Sequence, residues 1–324
     1  MRIEDCFLIY NVEEIRDGIR YYVIPRASRE EVEKLLSHLS YEYDVTLRES
    51  YGELILEIKK PKERRIVNVA LFLATFLSTT FFGSMLYGEP DLIGGIFFSV
   101  AILFILGSHE MAHFFAARRW KMRVSLPYFI PFPTIIGTLG AVIKQRGAIS
   151  NRKALLELGA SGPIVGFLAS VIVTLVGLRT PFEFEATGNE LVLGTSLIFD
   201  ALVAFSGFEG FVIHPIAFAG WVGFLLTFFN LLPVGQLDGG HVMRAMVGEK
   251  SELVSRITPL ILLLLAPFFG TIWVVWAMIL MFFSMQRHPK PMNDERLDFR
   301  GFLLGVSCYA IAILCFTPTP FANR

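Results

Sequence analysis

Two kinds of patterning divide the chain. Through residue 65, apolar positions are short and interleaved with charge; from Ile66 onward they come in long, nearly chargeless runs. In the first part, Ser28 followed by Glu31 has the spacing of a capping box and opens a helix to about Leu39 that buries Val32, Leu35, Leu36 and Leu39. Tyr21–Ile24 before it, and Tyr43–Arg48 and Glu53–Ile58 after it, read as strands, with Tyr51-Gly52 turning between the last two. The expectation is a small soluble α+β domain, residues 1–65, of β-α-β-β type.

Residues 66–324 form the second unit. Ile66–Tyr87, Leu92–Ala117, Leu155–Leu178, about Pro215–Leu232, Leu260–Phe283 and about Phe302–Phe316 are apolar runs, and at 1.5 Å per residue about 20 helical residues cross the ~30 Å hydrocarbon core of a bilayer. A water-soluble helix needs a polar face, and these runs have none. The pattern predicts a polytopic α-helical membrane protein of about six transmembrane helices. Leu260–Phe283 is interrupted by Pro267 and Gly270, which makes it two short spans or a re-entrant hairpin. Val124–Ile143 is apolar yet carries Pro127, Pro131, Pro133, Gly137 and Gly140. Prolines at that density exclude a spanning helix, so this stretch is expected as a membrane-associated extended or β-hairpin segment.

Charge orients the assembly. The 29 basic and 29 acidic residues cancel, which leaves no cationic excess to hold nucleic acid. Charged residues make up 18% of the chain, below the usual ~25% of a soluble domain, whereas apolar residues reach 54%, which excludes disorder. Lys62, Arg64 and Arg65, then Arg118, Arg119, Lys121, Arg123, Lys144, Arg146, Arg152 and Lys153, flank the first three spans on one side, while 179–214 carries Glu183, Glu185, Glu190, Asp200 and Glu209 against Arg179 alone. Basic loops stay cytoplasmic, so the N-terminal domain is expected inside, 179–214 outside, and the C-terminus outside. Arg2, Glu4 and Asp5 precede any apolar run, unlike a signal peptide. Cys6, Cys308 and Cys315 form no paired framework.

The chemistry lies in the second span, at His109-Glu110-Met111-Ala112-His113. Residues i and i+4 share a helix face, so the two imidazoles converge as metal ligands, with Glu110 beside them as a general base. Two histidines and a glutamate in an apolar span cost several kcal/mol unless paired, hydrated or metal-bound. A catalytic zinc also needs a third protein ligand. The candidates stand in Asn230-Leu-Leu-Pro-Val-Gly-Gln-Leu-Asp238-Gly-Gly-His241. Asp238 is the sole carboxylate between Glu209 and Glu249. His241 competes as a ligand, as a partner of one, or as an interfacial histidine; Asn230 is a hydrogen-bond donor for substrate or a polar helix contact. An ion carrier would also place His, Glu and Asp in spans, although the repeated halves typical of carriers are not visible.

An HExxH motif in a membrane span, followed by a span ending in NLLPVGQLDGG, resembles the site-2 protease family of intramembrane zinc metalloproteases over about 66–317, including Gly162-Pro163 and His288-Pro289. The resemblance implies Zn2+ held by His109, His113 and Asp238, Glu110 as catalytic base, and hydrolysis of peptide bonds in or near transmembrane segments of membrane-protein substrates. Water must reach such a site, and the arginines and Lys121 that follow His113 place the motif near the cytoplasmic side, so the catalytic pocket is expected to open there. The family's Asn-Pro-Asp-Gly form is spread here over Asn230, Pro233, Asp238 and Gly239. Residues 1–65 resemble N-terminal extensions of some archaeal and plastid-type members.

Overall fold

A computed structural model of the chain describes residues 2–40, 43–50, 52–60, 65–87, 90–146, 149–182, 192–210, 212–285 and 291–322. Its buried apolar side chains form two separate clusters. The smaller belongs to the N-terminal part: a single turn α1 (Ile3–Cys6), strands β1 (Phe7–Ile15) and β2 (Gly18–Pro25), helix α2 (Arg29–Leu39), and strands β3 (Asp44–Ser50) and β4 (Glu53–Lys59). The sheet is antiparallel in the order β1-β2-β4-β3. Phe7, Val23, Leu56 and Ile58 project from it toward Val32 and Leu35 of α2, with Leu36 and Leu39 at the margin. The capping box forms, the Ser28 side chain accepting from the Glu31 N–H and the Glu31 carboxylate taking the Ser28 N–H.

The expected β-α-β-β order lacks β1. That strand is mostly exposed, and its register shifts between Ile9 and Asn11. A bulge resets the alternation of faces, so no period-two pattern marks it in the sequence. Residue Tyr51 of the expected turn lies outside the described residues.

The larger cluster is helical. Helices α3 (Arg65–Ser84) and α4 (Leu92–Arg119) lead into short strands β5 (Arg123–Val124), β6 (Tyr128–Pro131), β7 (Thr138–Val142) and β8 (Gln145–Arg146), then α5 (Arg152–Arg179). Beyond β9 (Val192–Leu193) come α6 (Leu197–Ser206), α7 (Pro215–Asn230), α8 (Asp238–Val247), α9 (Ser251–Phe269), α10 (Ile272–Ser284), α11 (Phe299–Cys315) and β10 (Phe321–Ala322). Polar caps set most helix starts: Asp91 for α4, Asn151 for α5, Ser196 for α6 and Asp298 for α11 each accept a backbone N–H of the first turn. His214 caps α7, with Pro215 as its first residue.

Among the described residues, four helices are long and apolar enough to cross a membrane: Arg65–Ser84, Leu92–Arg119, Arg152–Arg179 and the continuous run Asp238–Phe269. The last was not among the expected spans, because its polar first turns hide it from a hydropathy reading. Helices α7, α10 and α11 have 16, 13 and 17 residues, shorter than the ~20 of a full crossing. The stretch 257–286 is broken as expected: α9 ends at Gly270, whose φ of 109° suits glycine alone, and α10 folds back against α9. Helix α6 in the 179–214 connection was not anticipated. Of the charges that set the expected orientation, Lys62, Arg64, Glu183, Glu185 and Glu190 lie outside the described residues, as does the His288-Pro289 segment.

Helix α5 stands at the centre, in contact with α4, α6, α7, α8 and α11. Lipid-like surroundings give helices no hydrophobic drive to associate, so close approach of small residues does the work. Ser170 and Thr174 of α5 fill the space that side chains at Gly223 and Gly220 of α7 would need. The Pro/Gly-rich stretch is a hairpin: β6 pairs antiparallel with β7 through Tyr128↔Val142, Phe129↔Ala141 and Pro131↔Thr138, and β5 pairs with β8. It is fastened to α3 by β6, where the Asn68 side-chain amide donates to the Leu126 and Pro127 carbonyls and Phe72 meets Phe129 edge-on at 5.2 Å. Strand β7 meets both α3 and α4.

One buried charge stands out in the small domain. The Glu57 side chain, 6% exposed, is held by Lys59 at 2.5 Å and by Arg20 and Arg48 at 2.9 Å each. The Lys59 hydrogen bond, then Arg20 and Arg48, pull its carboxyl down to about 2. A carboxylate depressed in the folded state adds stability above its unfolded value, near 4.3, that is lost as pH falls toward 2. The expected outcome is that amide protection of β4, followed by hydrogen exchange in the intact protein, weakens between pH 4.5 and 2. Glu57→Gln should lower it by about 1–3 kcal/mol at pH 7 and flatten its dependence over that interval.

Candidate metal centre

Helix α4 turns its apolar length around one polar spot. His109, Glu110 and His113 are all at least nine-tenths buried. The i, i+4 spacing brings the His109 and His113 Nε2 atoms to 3.0 Å of each other. Asp238, the first residue of α8, places Oδ2 at 3.2 Å from His109 Nε2 and Oδ1 at 3.3 Å from His113 Nε2. Two ligands bonded at 2.0–2.1 Å to a tetrahedral cation stand about 3.3 Å apart, so the three donors have the mutual spacing of a closed face of such a site. Among the described residues these three form the group able to hold a metal ion.

The tautomer of His113 follows from its partner. Its Nδ1 lies 2.8 Å from the Leu158 carbonyl of α5, and a carbonyl can only accept, so Nδ1 carries the proton. Nε2 is left with a lone pair aimed at the centre, the arrangement that orients a ligating histidine. The Ser161 hydroxyl donates to the same carbonyl at 3.0 Å.

Helix α5 approaches the centre through glycines. A Cβ at Gly162 would run into the His113 imidazole, one at Gly166 would lie 3.0 Å from His109 Nδ1, and one at Gly159 would lie 2.7 Å from the Asp238 carbonyl. The spacing 159, 162, 166 puts all three on one face. On the other side, the tight α7–α8 turn delivers Asp238: Gly235 has φ 49° and its N–H donates to the Ser255 hydroxyl at 2.8 Å, and Gly239 and Gly240 are pressed against the carbonyls of Leu231 and Gly235.

A cavity of about 260 Å³ opens on the centre, lined by the two histidines, Glu110, Asp238 and residues of β7 and the α7–α8 turn. Glu110 and Ile143, just past β7, both line it. Asn230, the last residue of α7, and His241, one turn into α8, line the same cavity. The metal group consists of His109, His113 and Asp238 and leaves His241 out.

Most of this supporting structure is not a motif. The Leu158 carbonyl is a backbone group and has no letter in the sequence. Gln145 and Gln236 also line the cavity, and no spacing sets them apart from surface glutamines. The glycine triplet on α5 was legible as an i, i+3, i+7 stripe, but not what it faced.

A model of peptidase family M50 matches residues 97–266. The chain belongs to peptidase family M50. The matched stretch is narrower than 66–317 and contains the HExxH motif, α5 and the Asp238 turn. Similar proteins include a probable zinc metalloprotease EGY2, chloroplastic, of Oryza sativa subsp. indica, 29% identical over 244 residues, covering 70% of this chain and 43% of that protein. The probable zinc metalloprotease EGY1, chloroplastic, of Arabidopsis thaliana is 31% identical over 228 residues, covering 65% and 41%. The chain therefore spans about two-fifths of the length of the curated relatives it matches. No solved structure matches it significantly.

For this M50 member, the contact between Gly162 and His113 gives a direct test. Gly162→Ala should displace the imidazole from the Leu158 carbonyl and weaken metal retention about 10- to 100-fold, the usual effect of disturbing a ligand's outer partner. Helical content by circular dichroism should be unchanged. Metal content after dialysis against a chelator measures the loss.

Proposed function

We propose that the chain is an intramembrane zinc metalloprotease that hydrolyses peptide bonds in or near transmembrane segments of membrane-protein substrates. The observation that carries this reading is the meeting of His109, His113 and Asp238 at zinc-ligand spacing beside Glu110, inside a helix long enough to cross a membrane. Family membership and relatives named zinc metalloproteases support Zn2+ as the ion and favour hydrolysis over the carrier alternative.

On this reading the two histidines and Asp238 hold the zinc. When bound, zinc supplies Lewis-acid polarisation of the scissile carbonyl and acidifies the attacking water. Glu110 takes the proton of that water at its carboxylate and hands it to the leaving amine nitrogen. Asn230 and His241, on the same cavity, are placed to hydrogen-bond the substrate backbone. Among the described residues β7 pairs with β6 alone, and its other edge, with Ala141, Val142 and Ile143 on the cavity wall, would receive an unwound substrate strand. A helical substrate must unwind there, because its peptide bonds are shielded by its own turns.

The membrane arrangement we infer has six embedded elements. Helices α3, α4, α5, α7 and α11 each cross once, and the α9–α10 pair enters and leaves on the inner side. Five crossings put the N-terminal domain, residues 1–65, in the cytoplasm and the C-terminus outside, in line with the basic loops. The cavity then opens toward the cytoplasm, from which water arrives.

Two measurements test the proposal. The intact protein should carry one zinc per chain by elemental analysis, and Glu110→Gln should keep that zinc while cleavage of a membrane-anchored reporter falls by at least about 10²-fold; full activity in this variant ends the reading. For orientation, single cysteines at the exposed positions Thr46, Lys144 and Glu209, in a background lacking the three native cysteines, should label from the inside, the inside and the outside respectively. The opposite pattern inverts the topology.

A further inference from the structure

The helix that delivers Asp238 begins without a side-chain cap. Leu237 at the cap position offers no acceptor, and the Asp238 carboxylate is turned to the histidines. The N–H groups of a first turn have no intrahelical partner, and an uncapped turn frays. A ligand on a fraying turn does not hold its oxygen within the ~0.2 Å that a zinc bond tolerates. Something else must fix this turn.

Gly159 of α5 lies against the Asp238 carbonyl, Gly239 lies on the Leu231 and Leu232 carbonyls, and Gly240 lies on the Val234 and Gly235 carbonyls; these contacts are steric, backbone against backbone. Another contact is directional: the Tyr309 hydroxyl of α11 donates to the Gly239 carbonyl at 2.7 Å, across 70 residues of sequence. The neighbouring turns of α11 are fitted to the same helix. Gly305 leaves room for Met246 of α8, and Cys308 is wholly buried. Tyr309 lies outside the stretch 97–266 that the family model matches.

We infer that Tyr309 is a positioning residue for the metal centre: its hydroxyl holds the first turn of α8 and, through it, the Asp238 carboxylate. This rests on the reading of the centre as a zinc site. The ring fills space between α11 and α8, whereas the hydroxyl fixes direction, so Tyr309→Phe separates the two roles.

The test uses the full chain in detergent. Zinc content, the rate of zinc release to a chelator, the absorption spectrum of the Co2+-substituted protein and the melting temperature are compared for wild type, Tyr309→Phe and Cys308→Ser. Tyr309→Phe is expected to melt with the wild type, to release zinc about tenfold faster, and to alter the Co2+ spectrum. Cys308→Ser, which keeps the hydroxyl of Tyr309, is expected to release zinc at the wild-type rate. Wild-type release and an unchanged spectrum in Tyr309→Phe overturn the inference, as does equal acceleration in Cys308→Ser, which would mean that helix packing alone is being read. A lowered melting temperature with unchanged release also overturns it, since that is the mark of a purely structural tyrosine. A wild-type protein that binds no zinc overturns the metal reading itself.

Discussion

The bond between His113 Nδ1 and the Leu158 carbonyl, at 2.8 Å, is the interaction on which the site depends. An imidazole buried in an apolar bundle must have both nitrogens satisfied, since an unpaired polar group there costs about 1–3 kcal/mol. Giving the Nδ1 proton to α5 leaves Nε2 as an acceptor, and that acceptor defines where a cation can sit. It also ties α4 to α5 at one definite height. Helices α4 and α5, 28 residues each, are thereby locked in register, and the rest of the site is measured from that lock.

Close approach is the second requirement that follows. For Leu158 to reach His113, α5 must lie almost on the backbone of its neighbours, and only glycine leaves that room at 159, 162 and 166. The same logic repeats at α5 against α7, where Ser170 and Thr174 meet Gly223 and Gly220. In an apolar solvent such packing replaces the hydrophobic drive of a soluble core. Asp238 is brought in from the far side by a turn equally short of side-chain volume, at Gly235, Gly239 and Gly240. The polar chemistry of the centre is therefore supported by an almost side-chain-free shell, with α11 closing it.

The β-hairpin gives this centre its open side. Prolines prevent residues 124–143 from forming a helix; β6 packs on α3, and β7 lines the cavity, with Ile143 on the same wall as Glu110. The Glu110 carboxylate of α4 and strand β7 thus share one wall of the cavity. The hairpin keeps its extended backbone against protein, as apolar surroundings require.

Much of this was written in the sequence because it is local. The i, i+4 histidines converge by helix geometry alone, the Ser28–Glu31 cap acts within one turn, the Pro267–Gly270 pair marks a break within one turn, and the prolines of 124–143 exclude a helix in any fold. The apolar runs likewise announce burial or lipid without reference to neighbours. What only the tertiary structure decided is whatever joins distant segments. The choice of Asp238 over His241 as third member of the cluster depends on how the α7–α8 turn aims a side chain, not on composition. The role of the Leu158 carbonyl has no residue type to announce it, and the α5 glycines show their purpose only when α4 is laid against them. Strand β1 escaped notice because its bulge and exposure erase the alternation, and its pairing with β2 supplies backbone hydrogen bonds that any sequence can make. Tyr309 reaches Gly239 across 70 residues, a contact fixed by the packing of α11 on α8, where no spacing rule applies.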